Sequence, residues 1–452
     1  MNNSILNSLN GLNNITNIGV DLDVSHNTSL TSLTGLNNLI GMQNLLIYNN
    51  FALTSLTGLD NLELVNREIL LGGNRALTDI SSLHRISILT KIKIQFNNQL
   101  SNLSGLENLT EAQTLVEIWN NPNLINIQGL SNLATTNTLR IENNEQLTSL
   151  IGLENLQAVQ NIELLDNPNL INLIGFSRLT NINGLTISNC KSLSSLEGIE
   201  NLLSIREINL NNNLNLQNLQ SLSNLISLQY IKIYDCDSVP SLSGLENITE
   251  IETLELIGNF SLRDVNALSN LTSISYFLLA RSFVQDLLGL SNLSNVTSFI
   301  ELKNNIKFTS LAGLENINPQ NIMRFTIEDN PYLDFCSVRS LCEYISLPDN
   351  VTIISRNKTG CNNVQEVEAA CDLDIEQHQM AEIKIYPNPT NDSFEISGLK
   401  EGAFEIMDSQ GRTVKQMNFG ADIYSISDLS SGVYFLKITS ENSSLTKRLI
   451  KL

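Results

Sequence analysis

Aromatic side chains are scarce, making up 5% of the residues with a single Trp among them. A core short of rings must be filled by Leu and Ile, which suits thin repeating layers better than one bulky globule. Histidine is scarcer still, and His26, His84 and His378 stand far apart in the sequence, so they form no visible catalytic constellation. Basic residues number 26 against 46 acidic ones, for a formal net charge of -20. That field repels phosphate backbones and anionic lipid heads, which argues against nucleic acid and membrane surfaces as partners. Apolar runs of about 18 residues are missing, so no membrane-spanning helix is expected. The opening Met1-Asn2-Asn3-Ser4-Ile5-Leu6 lacks the basic and apolar regions of a secretory signal. Only six cysteines occur, yet four of them, Cys336, Cys342, Cys361 and Cys371, crowd together, as suits an oxidising compartment.

What the chain has in abundance is a repeat. A unit of the form I-x-N-N-x-x-L-x-x-L-x-G-L-x-N-L-x-x-I is clean from Ile141 to Leu156 and returns from Ile47, Ile118 and Ile187. Its small-residue anchor falls at Gly11, Gly35, Gly58, Ser82, Gly105, Gly129, Gly152, Gly175, Gly198, Ser221, Gly244, Ala267, Gly289 and Gly313. Small residues there indicate a tight corner or a close approach of the next coil. The apolar positions are too sparse for long helices, and I-x-N-N is long enough only for a brief strand and a turn. No coil buries its Leu and Ile alone. Stacking at about 4.8 Å per coil buries them on neighbours, pairs the strands into parallel sheets and makes a body of about 14 coils, roughly 65 Å long.

Asn27, Asn50, Asn74, Asn97, Asn121, Asn144, Asn167, Asn213, Asn259, Asn305 and Asn330 share one repeat position. An inward Asn there can bond backbone groups at the turn and its counterpart one coil away, so this column reads as a structural ladder. It is interrupted at Cys190, Cys236 and Arg281. Cys190 and Cys236 lie two coils apart, roughly 9 to 10 Å, beyond disulfide reach, and are expected as buried free thiols.

On these residues the chain resembles leucine-rich repeats, and especially the L domains of receptor ectodomains, over about residues 5–333. The resemblance implies an all-β fold, a right-handed leucine-rich β-solenoid across 1–333. Past Asn330-Pro331-Tyr332-Leu333 the period stops, and 334–375 is expected as a cysteine-rich cap with a helix near Val364 to Ala370. A solenoid end exposes an apolar coil that needs covering. The segment resembles the caps of extracellular leucine-rich proteins; its four cysteines allow three pairings, and zinc is disfavoured by the C-x5-C and C-x9-C spacings.

From Ile383 the balance of charge changes to eight basic and eight acidic residues. Short apolar runs at Phe394 to Ile396, Phe404 to Met407, Val433 to Ile438 and Thr446 to Leu452 suggest a small β-sandwich over 383–452. Its landmarks, in order, are Tyr386-Pro387-Asn388-Pro389, Asp408 to Gly411-Arg412, Gly432-Val433-Tyr434 and Lys447 to Lys451. Together they resemble the type A C-terminal sorting domain of type IX secretion cargo in Bacteroidetes. That resemblance implies a partnership with the secretion machinery, export to the surface or medium, and usual removal of the domain. Such cargo carries an N-terminal signal peptide, so the expectation is a sequence that has lost its start, including its N-terminal cap.

Gly72-Gly73-Asn74 is a variant of the repeat turn without the Lys and helix of a phosphate loop. No cofactor, metal or catalytic residue is expected. The working surface is expected on the outward strand face, where Lys93, Glu117, Arg140 and Glu163 form an ion ladder and Tyr48, Trp119 and Tyr234 offer rigid amphipathic contacts. The resulting expectation is a non-enzymatic surface or secreted binding and adhesion protein whose solenoid contacts an extracellular protein or glycan. The alternative is the non-catalytic remainder of an exported hydrolase whose catalytic domain lies upstream. Ice binding is disfavoured because the Thr columns are interrupted by Ile and Ser.

Overall fold

The structure, a computed structural model, describes residues 3–381, 384–397, 403–418, 423–439 and 444–452, and their side chains other than those of 373–381. The expected tail boundary at 383 and the side chain of His378 lie outside the described residues.

Among these residues, fifteen strands form one parallel sheet in strict sequence order. They begin with β1 (Asp21–Ser25), β2 (Gly41–Tyr48), β3 (Leu64–Gly72), β4 (Ile88–Gln95) and β5 (Glu111–Trp119). Next come β6 (Thr135–Glu142), β7 (Asn161–Leu165), β8 (Asn181–Ser188), β9 (Ser204–Asn211) and β10 (Ser227–Tyr234). The series ends with β11 (Glu250–Ile257), β12 (Ser273–Ala280), β13 (Asn295–Lys303), β14 (Arg324–Glu328) and β15 (Thr352–Ser355). Strand residues alternate inward and outward: Ile92 and Ile94 are buried, while Lys91, Lys93 and Gln95 face out. The opposite side of each coil is turn or a short 3-10 segment, so one sheet forms, not several. Leu33, Leu36 and Leu39 are buried from that side, each worth about 1.5–3 kcal/mol over exposure.

The corner explains the small anchor. At Gly58 φ is +114, and a Cβ there would stand 2.2 Å from the Leu33 carbonyl oxygen of the preceding coil. Where Ser82 occupies the anchor, the chain forms a 3-10 turn over Ser81–Leu83, and the Ser82 Oγ donates to Asp60 Oδ1 at 2.8 Å.

The Asn column hands each turn to the next coil. Asn121 N donates to Asn144 Oδ1 at 3.1 Å, while Asn144 Nδ2 donates to the Ile118 carbonyl at 3.0 Å. The residue before each ladder position is left-handed, as at Asn120 (φ 54) and Asn143 (φ 51), a conformation Asn adopts more readily than other side-chain-bearing residues. The sequence assignment of Arg281 to the ladder is off by one. Ser282 holds that position, its N donating to Asn305 Oδ1 at 3.0 Å, whereas Arg281 occupies the left-handed site before it.

The sheet has one rung more than the fourteen anchors, because it continues past Leu333. β15 pairs with β14, and Asn357 extends the ladder by accepting from Asn330 N at 2.9 Å. The helices α1 (Arg339–Ile345) and α2 (Val364–Ala381) sit at this end, the second longer than its apolar pattern suggested and the first not foreseen. Cys336 pairs with Cys361 and Cys342 with Cys371. Leu341, Tyr344, Val367 and the cysteines belong to the same buried cluster as the coils.

The tail makes two antiparallel sheets. One contains β16 (Lys384–Tyr386), β17 (Ser393–Ser397) and β20 (Tyr424–Ser425); the other contains β18 (Ala403–Met407), β19 (Thr413–Asn418), β21 (Gly432–Thr439) and β22 (Ser444–Lys451). Phe394, Phe404, Tyr424 and Leu436 form its separate core.

Two predictions follow from the ladder. Asn144→Leu strands the Asn121 amide and the Ile118 carbonyl, and should lower the local opening free energy by about 1–3 kcal/mol, read by hydrogen exchange at those amides. Asn144→Cys, copying the natural interruptions, should cost less. The second concerns Cys190 and Cys236, which are buried and unpaired and whose thiols burial pushes up from 9.0 to about 12. In the unfolded chain they ionise above pH 9.0 while the buried ones stay neutral, so their contribution to stability is intact below that pH and is lost towards about 12. Urea midpoints at pH 8 and pH 10.5 should differ less in a Cys190→Asn/Cys236→Asn double variant than in the parent.

Candidate functional site

The register sets two outward columns side by side. Lys93, Glu117, Arg140 and Glu163 are consecutive partners in the first. Lys93 Nζ lies 3.1 Å from Glu117, and Arg140 lies 4.0 Å from Glu117 and 3.7 Å from Glu163. Arg140 Nε also donates to Glu142 at 2.8 Å. All are partly solvated, so each pair contributes on the order of 0–1 kcal/mol.

The second column carries Tyr48 on β2, Trp119 on β5 and Tyr234 on β10. They are three and five rungs apart, and the structure does not bring Tyr234 to the other two. Its hydroxyl donates to Glu255; burial, and after it that bond, push the phenol up. Further along, burial works against the charge on Glu301, but hydrogen bonds from Lys303 and Arg324 outweigh it and hold the carboxyl below its usual range. This end of the face is a network of paired charges and phenols.

The other end is different. Between Tyr48 and Gln95 the column holds Gly72, and the neighbouring left-handed column holds Gly73 between Asn49 and Phe96. With no side chain at Gly72, a notch of about 510 Å³ opens over Leu70, while Asn49 Oδ1 covers Gly73, 2.4 Å from where a Cβ would stand. Tyr48 and Phe96 flank it; Asn49, Gln95, Asn98 and Asn120 supply amides, and Arg75 the one charge. Trp119 stands behind Phe96, ring centroids 4.6 Å apart, and the Arg75 guanidinium lies 4.9 Å over Phe51. Gly72, Gly73, Arg75 and Phe96 escaped the sequence reading, which treated the glycines as a turn variant. The signal available was the loss of an outward side chain beside two aromatic positions.

His26 packs edge-on against Tyr48, and His84 Nδ1 lies 3.1 Å from the Ser81 carbonyl with Asp60 nearby, so the two histidines stand in separate surroundings. Among the described residues no three His, Cys, Asp or Glu side chains are grouped to hold a metal.

In the tail the landmark residues knit the chain ends of the small domain. Asn388, between Pro387 and Pro389, donates to the Arg448 carbonyl at 2.6 Å and accepts from Ile450 N at 2.9 Å. Asp408 Oδ1 accepts from Arg412 N at 3.0 Å across the turn in which Gly411 takes φ 78. Gly432 opens β21, and Tyr434 donates to the Ser430 carbonyl at 2.8 Å. Lys451 is buried, with its Nζ on the Asn391 carbonyl and 3.3 Å from Asp392.

Residues 384–452 match the family described as the secretion system C-terminal sorting domain. Over 107 residues the chain is 28% identical to an endo-acting ulvan lyase of Formosa agariphila, covering 22% of this chain and 21% of the lyase. The chain thus spans about a fifth of the length of that curated relative. A solved leucine-rich repeat protein from Bacteroides ovatus aligns with 63% of this chain and 86% of its own, at 13% identity and a TM-score of 0.16. The parallel stacking of Leu-lined coils makes the body a leucine-rich β-solenoid, and the match at 384–452 gives it a sorting tail of the type IX system, which implies export to the cell surface or the extracellular space. No helix among the described residues is long and apolar enough to cross a membrane.

Prediction for the tail: Asn388→Ala removes both clamps on β22 and should destabilise the small domain by about 1–3 kcal/mol. The near-ultraviolet signal of its Phe394, Phe404 and Tyr424 cluster during denaturation reads the change.

Proposed function

We propose that the chain is a non-catalytic binding protein, carried out of the cell through residues 384–452, whose solenoid contacts an extracellular protein or glycan through its outward sheet face. The observation that carries this reading is the union of a sorting tail with a fifteen-stranded parallel sheet whose outward columns are partly open to solvent along most of their length, closing at rungs such as those of Glu301 and Thr326. Rigid strands hold outward side chains at fixed spacing, and Tyr and Trp present large contact areas at small entropic cost. The division into solenoid 1–333, cap 334–375 and tail 383–452 belongs to the same proposal, with the cap sharing the solenoid's core.

A second reading has one observation in its favour. The partial match to an ulvan lyase suits a chain that is the non-catalytic part of an exported polysaccharide-degrading protein. The full reading frame around this chain separates the two.

The test is fractionation of a host with a working type IX system. Placed behind an inner-membrane signal peptide, the chain should reach the surface or the medium without residues 384–452, and deletion of those residues should hold it inside; export of the deleted chain overturns the sorting role. Binding is tested separately by retention of the exported chain on whole cells. Trp119→Ala should weaken retention about tenfold, and retention equal to the parent's removes Trp119 from the contact.

A further inference from the structure

We infer that the notch at Gly72 and Gly73 is a carbohydrate subsite that takes one pyranose ring of a polysaccharide chain. The inference rests on the binding reading above and names its ligand class.

The distribution of rings carries the argument. Tyr48, Phe51, Phe96 and Trp119 are the only Phe, Tyr or Trp residues in positions 1–175. None is buried, although aromatic residues are ordinarily core formers and the core of these coils is made of Leu and Ile. Tyr48 and Phe96 border the notch, Trp119 backs Phe96, and Phe51 lies under the Arg75 that lines it. Chance placement over a long regular surface would scatter them.

Phe96 adds an independent point. Its φ is 56, at the left-handed position that Asn49, Asn120, Asn143 and Asn212 occupy in other coils. A bulky residue is strained there by about 1–2 kcal/mol, and Asn would relieve it. The fold does not require a ring at this site, since other coils do without one.

The chemistry selects the ligand. Tyr48 faces Gln95 across Gly72, and Phe96 faces Asn49 across Gly73, each pair two rungs or roughly 9 to 10 Å apart, so the two rings border opposite corners of a gap wide enough for one flat ring. Leu70 and the glycine backbone offer an apolar floor, and four amides supply paired donors and acceptors for hydroxyl groups. The lining holds no carboxylate in a chain of net charge -20. The lining itself therefore adds no repulsion of an acidic sugar, and Arg75 can pair with its substituent.

The test is affinity electrophoresis of the full chain through gels containing hydroxyethyl cellulose, xylan, alginate or carrageenan. At least one should retard the parent protein. Gly72→Gln should weaken that retardation about tenfold or more by refilling the notch. A Cβ at Gly72 meets only side-chain atoms at ordinary contact distance, the nearest being the Gln95 amide at 3.4 Å, so the strand accepts a side chain there. Ser188→Gln, in the same column on β8, should leave retardation unchanged. Phe96→Asn should bind about tenfold more weakly while its Tm is equal to or above the parent's, a combination that a purely structural role for the ring does not give. No retardation of the parent by any of the four polymers, or equal effects at 72 and 188, overturns the subsite. A chain that is exported and retained on cells yet ignores all four overturns only the sugar assignment and leaves the binding reading standing.

Discussion

Everything in the solenoid depends on how each coil satisfies the backbone at the end of its strand. A turn through left-handed space leaves an amide and a carbonyl facing the interior, where an unpartnered polar group costs about 1–3 kcal/mol. Asn meets both needs, because its oxygen accepts from one coil and its nitrogen donates to the strand of that coil, as Asn144 does for Asn121 and Ile118. The stacking of Leu and Ile supplies the larger energy and fixes which face of each strand is inward, but does not by itself choose between registers two residues apart. The amide ladder is directional and fixes which residue of one coil lies over which residue of the next.

That constraint is why so much of the architecture was legible in the sequence. A ladder position must be Asn or a small polar stand-in, a crowded corner must be Gly or adopt a 3-10 turn, and both recur with the coil. The misplaced interruption shows where legibility fails. Arg281 stands at the left-handed position that Asn fills elsewhere, and the small Ser282 beside it, at the regular coil spacing from Asn259 and Asn305, is the ladder residue that donates to Asn305. The end of the solenoid was harder still. β15 and Asn357 continue the sheet and ladder after the leucine spacing has dissolved, because a strand and one Asn suffice for the bonds while α1, α2 and two disulfides take over the packing.

The candidate site was half legible for a related reason. Tyr48 and Trp119 were visible as rings on the outward column, and the register places them at one end of the face while Tyr234 stands among carboxylates at the other. What gives the first pair meaning is a pair of glycines, and a missing side chain becomes a shape only once its neighbours are in place. The tail differs again. Its landmarks are legible as an ordered set of motifs, yet their contacts are long-range, Asn388 with Arg448 and Lys451 with Asp392, and spacing alone does not predict them.

Because each coil hands its turn only to the next, the stack has no closure condition of the kind that ties strand number to diameter in a barrel. Whole coils can be gained or lost by recombination between near-identical segments without disturbing distant ones. A single-residue insertion inside a strand would turn every following side chain to the wrong face unless a bulge absorbs it. The extra residue of the longer coils is taken up by bulges near the starts of β3, β5 and β13, after which the pairing resumes in phase. A lineage of such chains can change its reach in coarse steps while keeping any one patch of the face, such as that around Gly72, intact.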